Sequence, residues 1–160
     1  MTTLHTYRAT VTWTGNRGTG TSGYRDYDRD HVITSDGRPP LPGSSDPAFR
    51  GDPSRWTPEH LLVTALSQCH LMSYLHLCAE AGVVVTGYRD DPVGTMVEEG
   101  RGGRFTEVIL RPHVTVASPE MVDGARRLHE DAHRACFIAS SVAFAVRHEP
   151  TIDVAGPAAG

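Results

Sequence analysis

Polar and apolar positions alternate from Thr6 to Trp13, with Tyr7, Ala9, Val11 and Trp13 on one side and Thr6, Arg8, Thr10 and Thr12 on the other. This predicts a half-buried strand. Gly15-Asn16-Arg17-Gly18 reads as a turn, and residues 19–33, with Tyr24, Tyr27 and Ile33, as the second strand of a hairpin. From Ser35 to Trp56 the pattern dissolves into Gly, Pro, Ser and Asp, a long loop of the kind that serves function or linkage. The period then changes to three and four residues. Leu62, Ala65, Leu66, Cys69, Met72 and His76 mark the stripe of one long helix running from Thr57 to Gly82, so Cys69 is expected to be mostly buried. Thr57 can cap this helix, Pro58 suits its first position, Glu59 complements the positive end of the dipole, and Gly82 supplies a left-handed stop.

Beyond Gly82, Val83-Val84-Val85 opens a strand that passes Gly87-Tyr88 and Gly94-Thr95-Met96-Val97. Residues 99–103 form a Gly-rich turn, and Phe105 to Val116 the return strand. Ser118-Pro119-Glu120 repeats the cap, proline and acid layout and starts a second helix through Met121, Val122, Ala125, Leu128 and Ala132, which ends near Cys136. Residues 144–154 read as a last strand and 155–160 as a disordered tail. The order predicts an α+β fold in one domain over residues 1–160, an antiparallel sheet with a long central helix and a second helix packed on it.

Composition narrows the classes. The chain has 160 residues, 39% of them hydrophobic and 21% charged, which is ordinary for a globular domain. No apolar run is expected to reach a membrane span, and the first residues lack the layout of a signal peptide, so a cytoplasmic location is expected. A net charge of -4 argues against a nucleic-acid partner. All 15 basic residues are Arg, which removes Schiff-base and Walker-type lysine chemistry and leaves guanidinium groups as the available cations.

Three cysteines, Cys69, Cys78 and Cys136, make a disulfide framework unlikely and point to redox or catalytic use. Cys69 and Cys78 lie nine residues apart on one helix, on opposite faces and about 14 Å apart along the axis, so the pair to consider is Cys69 with Cys136. A lone helical cysteine usually just packs. A reactive one must be a thiolate, which in an apolar setting needs a cation; the preceding turn and loop offer Arg17, Arg38, Arg50 and Arg55. A rival constellation, His129-Glu130-Asp131-Ala132-His133, matches H-E-x-x-H, two imidazoles on one helical face with a glutamate as base. Ala139 stands where a metzincin would place its third histidine, and the motif leaves Cys69 and the long loop unexplained. His70 and His76 read as packed or interface histidines.

The phrase from Pro58-Glu59 to Ser67-Gln68-Cys69-His70 resembles the OsmC/Ohr family of thiol peroxidases, which carry Pro-Glu at the start of a long central helix and the reactive Cys ten residues after that Glu. The resemblance implies an intertwined homodimer with reactive sites at the interface. It makes Cys69 the attacking thiol and Cys136 the resolving one, with Arg50 stabilising the thiolate and Glu59 holding Arg50; Arg17 is the runner-up, as in the Ohr branch. Many members follow the resolving Cys with Pro, where this chain has Phe137 and continues Ile-Ala-Ser-Ser like an OsmC-like side branch. Glu59 and Cys69 are about 15 Å apart on a straight helix, so a two-fold dimer would have to set Arg50 and Glu59 of one chain beside Cys69 of the other. The implied activity is reduction of organic hydroperoxides, with a dithiol such as a lipoylated protein as reductant and neither cofactor nor metal. The alternatives are a catalytically silent OsmC-like binding or structural dimer and, further off, the zinc hydrolase.

Overall fold

The structure, a computed structural model, describes residues 2–156, in two compact units that meet in sequence between Leu61 and Leu62. In the first unit the strands are shorter than their sequence patterns. β1 (Thr10–Trp13) pairs antiparallel with β2 (His31–Thr34), and β2 with β3 (Leu41–Gly43), in the order β1-β2-β3. The hairpin strand expected over 19–33 is confined to its last residues. Backbone pairing continues irregularly beyond it, through Thr14 N to Asp30 O, Asp28 N to Gly15 O and an antiparallel bridge between Asn16 and Tyr27. Past that point Asn16 Oδ1 accepts from the amides of Gly18 and Gly20 and curls the chain, and Arg29 lies over the rings of Tyr24 and Tyr27 at 4.4 and 4.2 Å. All of β1 is exposed within this chain, although Val11 and Trp13 are apolar.

The expected loop over 35–56 contains β3 and a 3-10 turn at Pro47–Phe49, whose cap Asp46 accepts from Ala48 N at 2.7 Å. Ser44 is buried and ties the segment together, donating to Asp30 Oδ1 and accepting from Asp52 N, both at 3.0 Å. Gly51 closes the turn; a Cβ there would stand 1.6 Å from the Ser45 carbonyl oxygen.

α1 (Pro58–Glu80) matches the expected span. Thr57 Oγ1 accepts from His60 N at 3.2 Å, and Gly82, with φ +70°, ends it. The buried stripe, however, is Leu66, His70, Tyr74 and Cys78, one position round from the stripe read in the sequence. Cys69 is only half-buried and Met72 is 62% exposed. Contrary to expectation, α1 is long and apolar enough, by length and composition, to count as a candidate membrane span, yet only 22% of an 18-residue window of it is buried.

Each long strand of the second unit breaks in two. β4 (Val85–Asp90) and β5 (Val93–Glu99) separate at Asp91-Pro92, β6 (Gly102–Leu110) and β7 (Pro112–Val116) at Arg111, and β8 (Ala145–His148) and β9 (Thr151–Val154) at Glu149-Pro150. Proline removes a backbone donor at all three breaks, at Pro92, Pro112 and Pro150. Asp90 secures the bend, accepting from Arg111 N and from the Ser67 hydroxyl of α1, both at 2.6 Å. Two three-stranded sheets result, β4-β7-β9 and β5-β6-β8. They are mixed where an antiparallel sheet was expected. β8 runs parallel to β6 and β9 parallel to β7, because α2 (Val122–Ala135) provides the crossover. A 3-10 turn at Pro119–Met121 precedes α2, and Cys136 caps its end. One apolar cluster gathers Tyr74, Cys78, Val114, Val116, Ala125, Ala132 and Ile152, and a second Leu66, Val108 and Leu110. Of the tail, Ala155 N donates to Val116 O at 2.8 Å, and the expectation of disorder over 157–160 falls outside the described residues.

Leu66→Ala removes a fully buried side chain at the centre of the second cluster and is expected to cost about 2–4 kcal/mol in chemical denaturation. Gly51→Ala forces backbone against backbone and is expected to destabilise the protein by about 1–3 kcal/mol in the same measurement; an unchanged midpoint would show that the turn around Arg50 relaxes freely.

Candidate active site

Cys69, in the middle of α1, and Cys136, at the end of α2, are brought side by side within the second unit, both as free thiols. Their settings differ. Cys69 is half-buried, whereas Cys136 is closed off by the chain that turns beneath it. Cys136 N donates to His133 O at 3.3 Å as the helix ends, and the backbone continues into a 3-10 turn at Ala139–Ser141. There Ala139 N points at Cys136 Sγ at 3.4 Å, while the hydroxyls of Ser140 and Ser141 donate back to the carbonyls of Cys136 and Phe137. Burial, helped by the neighbouring Cys69 thiol and opposed by the Ala139 amide, pushes the Cys136 thiol up to about 11. That shift favours the protonated thiol of Cys136 at neutral pH, a form poorly suited to attack a peroxide directly. Phe137, which stands where many relatives of the resembled family carry Pro, is 81% exposed beside it.

Cys78, the third thiol, lies in the core next to Tyr74, and burial raises its pKa too. Its place on the buried stripe makes it a packing residue.

Arg50 and Glu59 belong to the first unit. Arg50 is the one described residue other than glycine with a positive φ, +67°, where it ends the 3-10 turn. That conformation costs a side-chain-bearing residue about 1–2 kcal/mol. Among the described residues its guanidinium makes no hydrogen bond or ion pair, and the Glu59 carboxylate makes no ion pair either. The other arginines considered are occupied. Arg17 is bound to Arg25 O and pairs with Asp28 at 3.6 Å, Arg38 donates to Ser35 and Asp36, and Arg55 bridges Asp30 and Asp52 at 3.2 and 3.4 Å.

The H-E-x-x-H motif is used differently from a metal site. His129 is fully buried, and its Nδ1 lies 2.9 Å from Nε2 of His70 on α1. The ring planes are 5° apart with centroids 5.3 Å apart, an edge-to-edge arrangement that an N–H···N bond requires. Glu130 turns outward to His148, at 3.5 Å, and His133 lies against His148 with centroids 5.8 Å apart. Among the described residues no three of His, Cys, Asp and Glu are grouped so as to hold a metal. His76 is exposed and pairs with Glu80 at 3.4 Å. The cluster of His70, His129 and His148 on Tyr74 was not anticipated. Its one sequence signal is the four-residue spacing of Leu66, His70, Tyr74 and Cys78, in which the polar rings hide the period.

Comparison with curated proteins finds no match. Among solved structures, an OsmC-like protein of unknown function from Vibrio cholerae is 30% identical and superposes with a TM-score of 0.82, covering 92% of this chain and 100% of its own. An organic hydroperoxide resistance protein from Elizabethkingia anophelis, with thiocyanate bound, is similar at 19% identity and a TM-score of 0.66, covering 97% and 100%. An organic hydroperoxide resistance protein OsmC from Legionella pneumophila is similar at 15% identity and 0.65, covering 96% and 100%. At those two identities the likeness is one of fold. The family model described as OsmC-like protein matches residues 51–151, which contain Glu59, Cys69 and Cys136, and with it the chain belongs to the OsmC-like family.

Proposed function

We propose that the protein is a thiol-dependent peroxidase that reduces organic hydroperoxides in the cytoplasm, acting as a homodimer. The observation that carries this reading is the pairing of a half-buried Cys69 with a buried Cys136 drawn from two different helices. In the first step Cys69 thiolate attacks the terminal peroxide oxygen, the O–O bond breaks, and the alkoxide leaves and takes up a proton as the alcohol. The sulfur is oxidised to a sulfenic acid. Cys136 sulfur then displaces the sulfenic oxygen, which departs as water with the Cys136 proton, and a Cys69–Cys136 disulfide forms. An external dithiol, such as a lipoylated protein, returns the two electrons.

Arg50 supplies the cation that the thiolate and the leaving alkoxide need. Its unpaired guanidinium and left-handed backbone favour it over Arg17, which Asp28 already neutralises. Glu59 holds Arg50. The lengthwise separation of Glu59 and Cys69 on α1 supports a reading in which Arg50 and Glu59 of one chain serve the Cys69 of the partner chain. A dimer also explains why α1 and β1 leave so much apolar surface open within one chain. It is the occupant we favour over a lipid bilayer for α1, because Glu59, Gln68, His70 and His76 interrupt the helix.

Cys69→Ser is expected to abolish hydroperoxide reduction while leaving the fold intact, because the hydroxyl does not ionise near neutral pH; activity equal to the parent would refute the mechanism. Arg50→Gly relieves the left-handed strain, so the variant should melt no lower than the parent while its turnover falls about 100-fold or more. A lower melting temperature with normal turnover would make Arg50 structural. Mixing inactive Arg50→Ala and Cys69→Ser homodimers should restore about a quarter of the parent activity, since half the dimers formed by random exchange carry one intact site. An arginine and cysteine that serve the same chain would give no recovery.

A further inference from the structure

Four imidazoles meet in the core of the second unit, and the thiol reaction uses none of them. His70 comes from α1, His129 and His133 from α2, and His148 from the end of β8. His70 and His129 are 1% and 0% exposed and bond directly to one another. The His129 ring stacks on Tyr74 of α1 at 3.9 Å, and the Tyr74 hydroxyl donates to Ala125 O of α2 at 3.0 Å. His148 stands 5.6 Å from His70 and 5.9 Å from His129, between centroids. The two helices are thus joined by one imidazole pair and one phenol, and each arm of the imidazole pair stands on a helix that carries one of the two thiols. His70 follows Cys69 directly, and His129 is on the helix that Cys136 terminates.

Resting on the two-thiol reading, we propose that His70 and His129 form a positioning clasp that fixes α1 against α2, holds Cys69 opposite Cys136, and does so only while both rings are neutral. The geometry sets the condition. In an N–H···N bond one ring donates and the other accepts, so whichever tautomers are present, one N–H and one lone pair are left over. Among the described residues these leftover atoms, His70 Nδ1 and His129 Nε2, have no partner, and neither does His148 Nδ1. A first proton on the pair would be an unpartnered buried charge, and a second would remove the only acceptor. The groups facing the pair offer no counter-charge. From α1 come the Tyr74 hydroxyl and the Cys78 thiol, and from β4 the Tyr88 hydroxyl, all pushed up by burial; from β8 comes His148. On α2, His133 and Arg126 disfavour further positive charge, and the one carboxylate, Glu130, faces His148 from the surface.

Burial above all, then the neighbouring imidazoles, holds His70 down to about 4 and His129 down to about 3, and burial lowers His148 also. The sign of the pH dependence is set by that lowering. A ring that is neutral in the clasp but free to charge once released stabilises the closed form above about pH 6.5, and this stabilisation is lost as pH falls through 6.5 toward the lowered value. The closed form weakens about tenfold per pH unit for each such ring.

The test needs no peroxide. Reduced protein is equilibrated with oxidised and reduced glutathione, approached from both sides, and the Cys69–Cys136 disulfide is counted by peptide mapping. In this exchange the protein dithiol gives two electrons to oxidised glutathione and two glutathione thiols are released, so the constant reads how well the two sulfurs are held together. His129→Ala should lower that constant at least tenfold at pH 7.5, and His129→Asn, whose amide occupies the Nδ1 position without titrating, should return it to within about threefold of the parent. The parent constant should fall at least tenfold between pH 7.5 and 4.5, and that of the Asn variant by less. A parent-like Ala variant overturns the clasp, as does a parent constant unchanged down to pH 4.5. Should the Ala variant not fold, the Asn variant and the parent pH profile decide alone by the same criteria. Absence of the disulfide from the parent itself overturns the two-thiol reading and the clasp with it, and is told apart from failure of the clasp alone, in which the parent forms the bond normally.

Discussion

A helix whose apolar residues are spread round most of its circumference presents more apolar surface than one sheet layer can cover. α1 is such a helix, and the second unit buries a single stripe of it, Leu66, His70, Tyr74 and Cys78. The choice of stripe governs how α2 docks and where the thiols fall. Two of its four members carry polar atoms, and a buried imidazole or phenol without a partner costs about as much as a lost hydrogen bond. Tyr74 therefore reaches the Ala125 carbonyl and His70 reaches His129, both on α2, and the first turns of α2 are drawn into register with the middle of α1. Leu66 meanwhile packs with Val108 and Leu110 of β6. With the stripe placed, Cys69 falls at its margin, half-buried, where a thiol is both accessible and next to the end of α2.

The opposite side of the same helix carries Met72 and Leu75, exposed within one chain, and the exposed strand β1 adds Val11 and Trp13. Apolar surface on this scale is unusual for a lone chain. These are the surfaces that the proposed dimer would cover, and the polar and titratable residues spaced along α1 suit a protein partner better than a lipid one.

Much of this was legible in the sequence, because the signals were local. The helix bounds came from Thr57, Pro58 and Gly82, which act within one turn of the chain end they mark. Cys69, Cys136 and Glu59 were singled out by spacing and by likeness to the OsmC/Ohr phrase. The face of α1 was misjudged by one position, because His70 and Tyr74 count as polar in any hydropathy pattern and their burial depends on partners on α2 and β8, far off in sequence. Long strands were read where the chain breaks at Asp91-Pro92, Arg111-Pro112 and Glu149-Pro150, since apolar alternation continues through the bend; the prolines mark all three breaks in the sequence, and the side chain of Asp90 that secures the bend does not stand out there. Parallel pairing of β8 and β9 was likewise invisible, because strand direction is set by the α2 crossover and leaves no period in the strands themselves. H-E-x-x-H was a true helical motif whose histidines face different neighbours from those a metal needs.

The central claim is that Cys69 and Cys136 work as a pair and that Cys78 only packs. Counting free thiols before and after one equivalent of cumene hydroperoxide, with the product mapped by peptide mass, tests it most directly. The account predicts a fall from three thiols per chain to one, with Cys69 linked to Cys136 and Cys78 still free. Three thiols remaining after the peroxide, or a disulfide that includes Cys78, would contradict it.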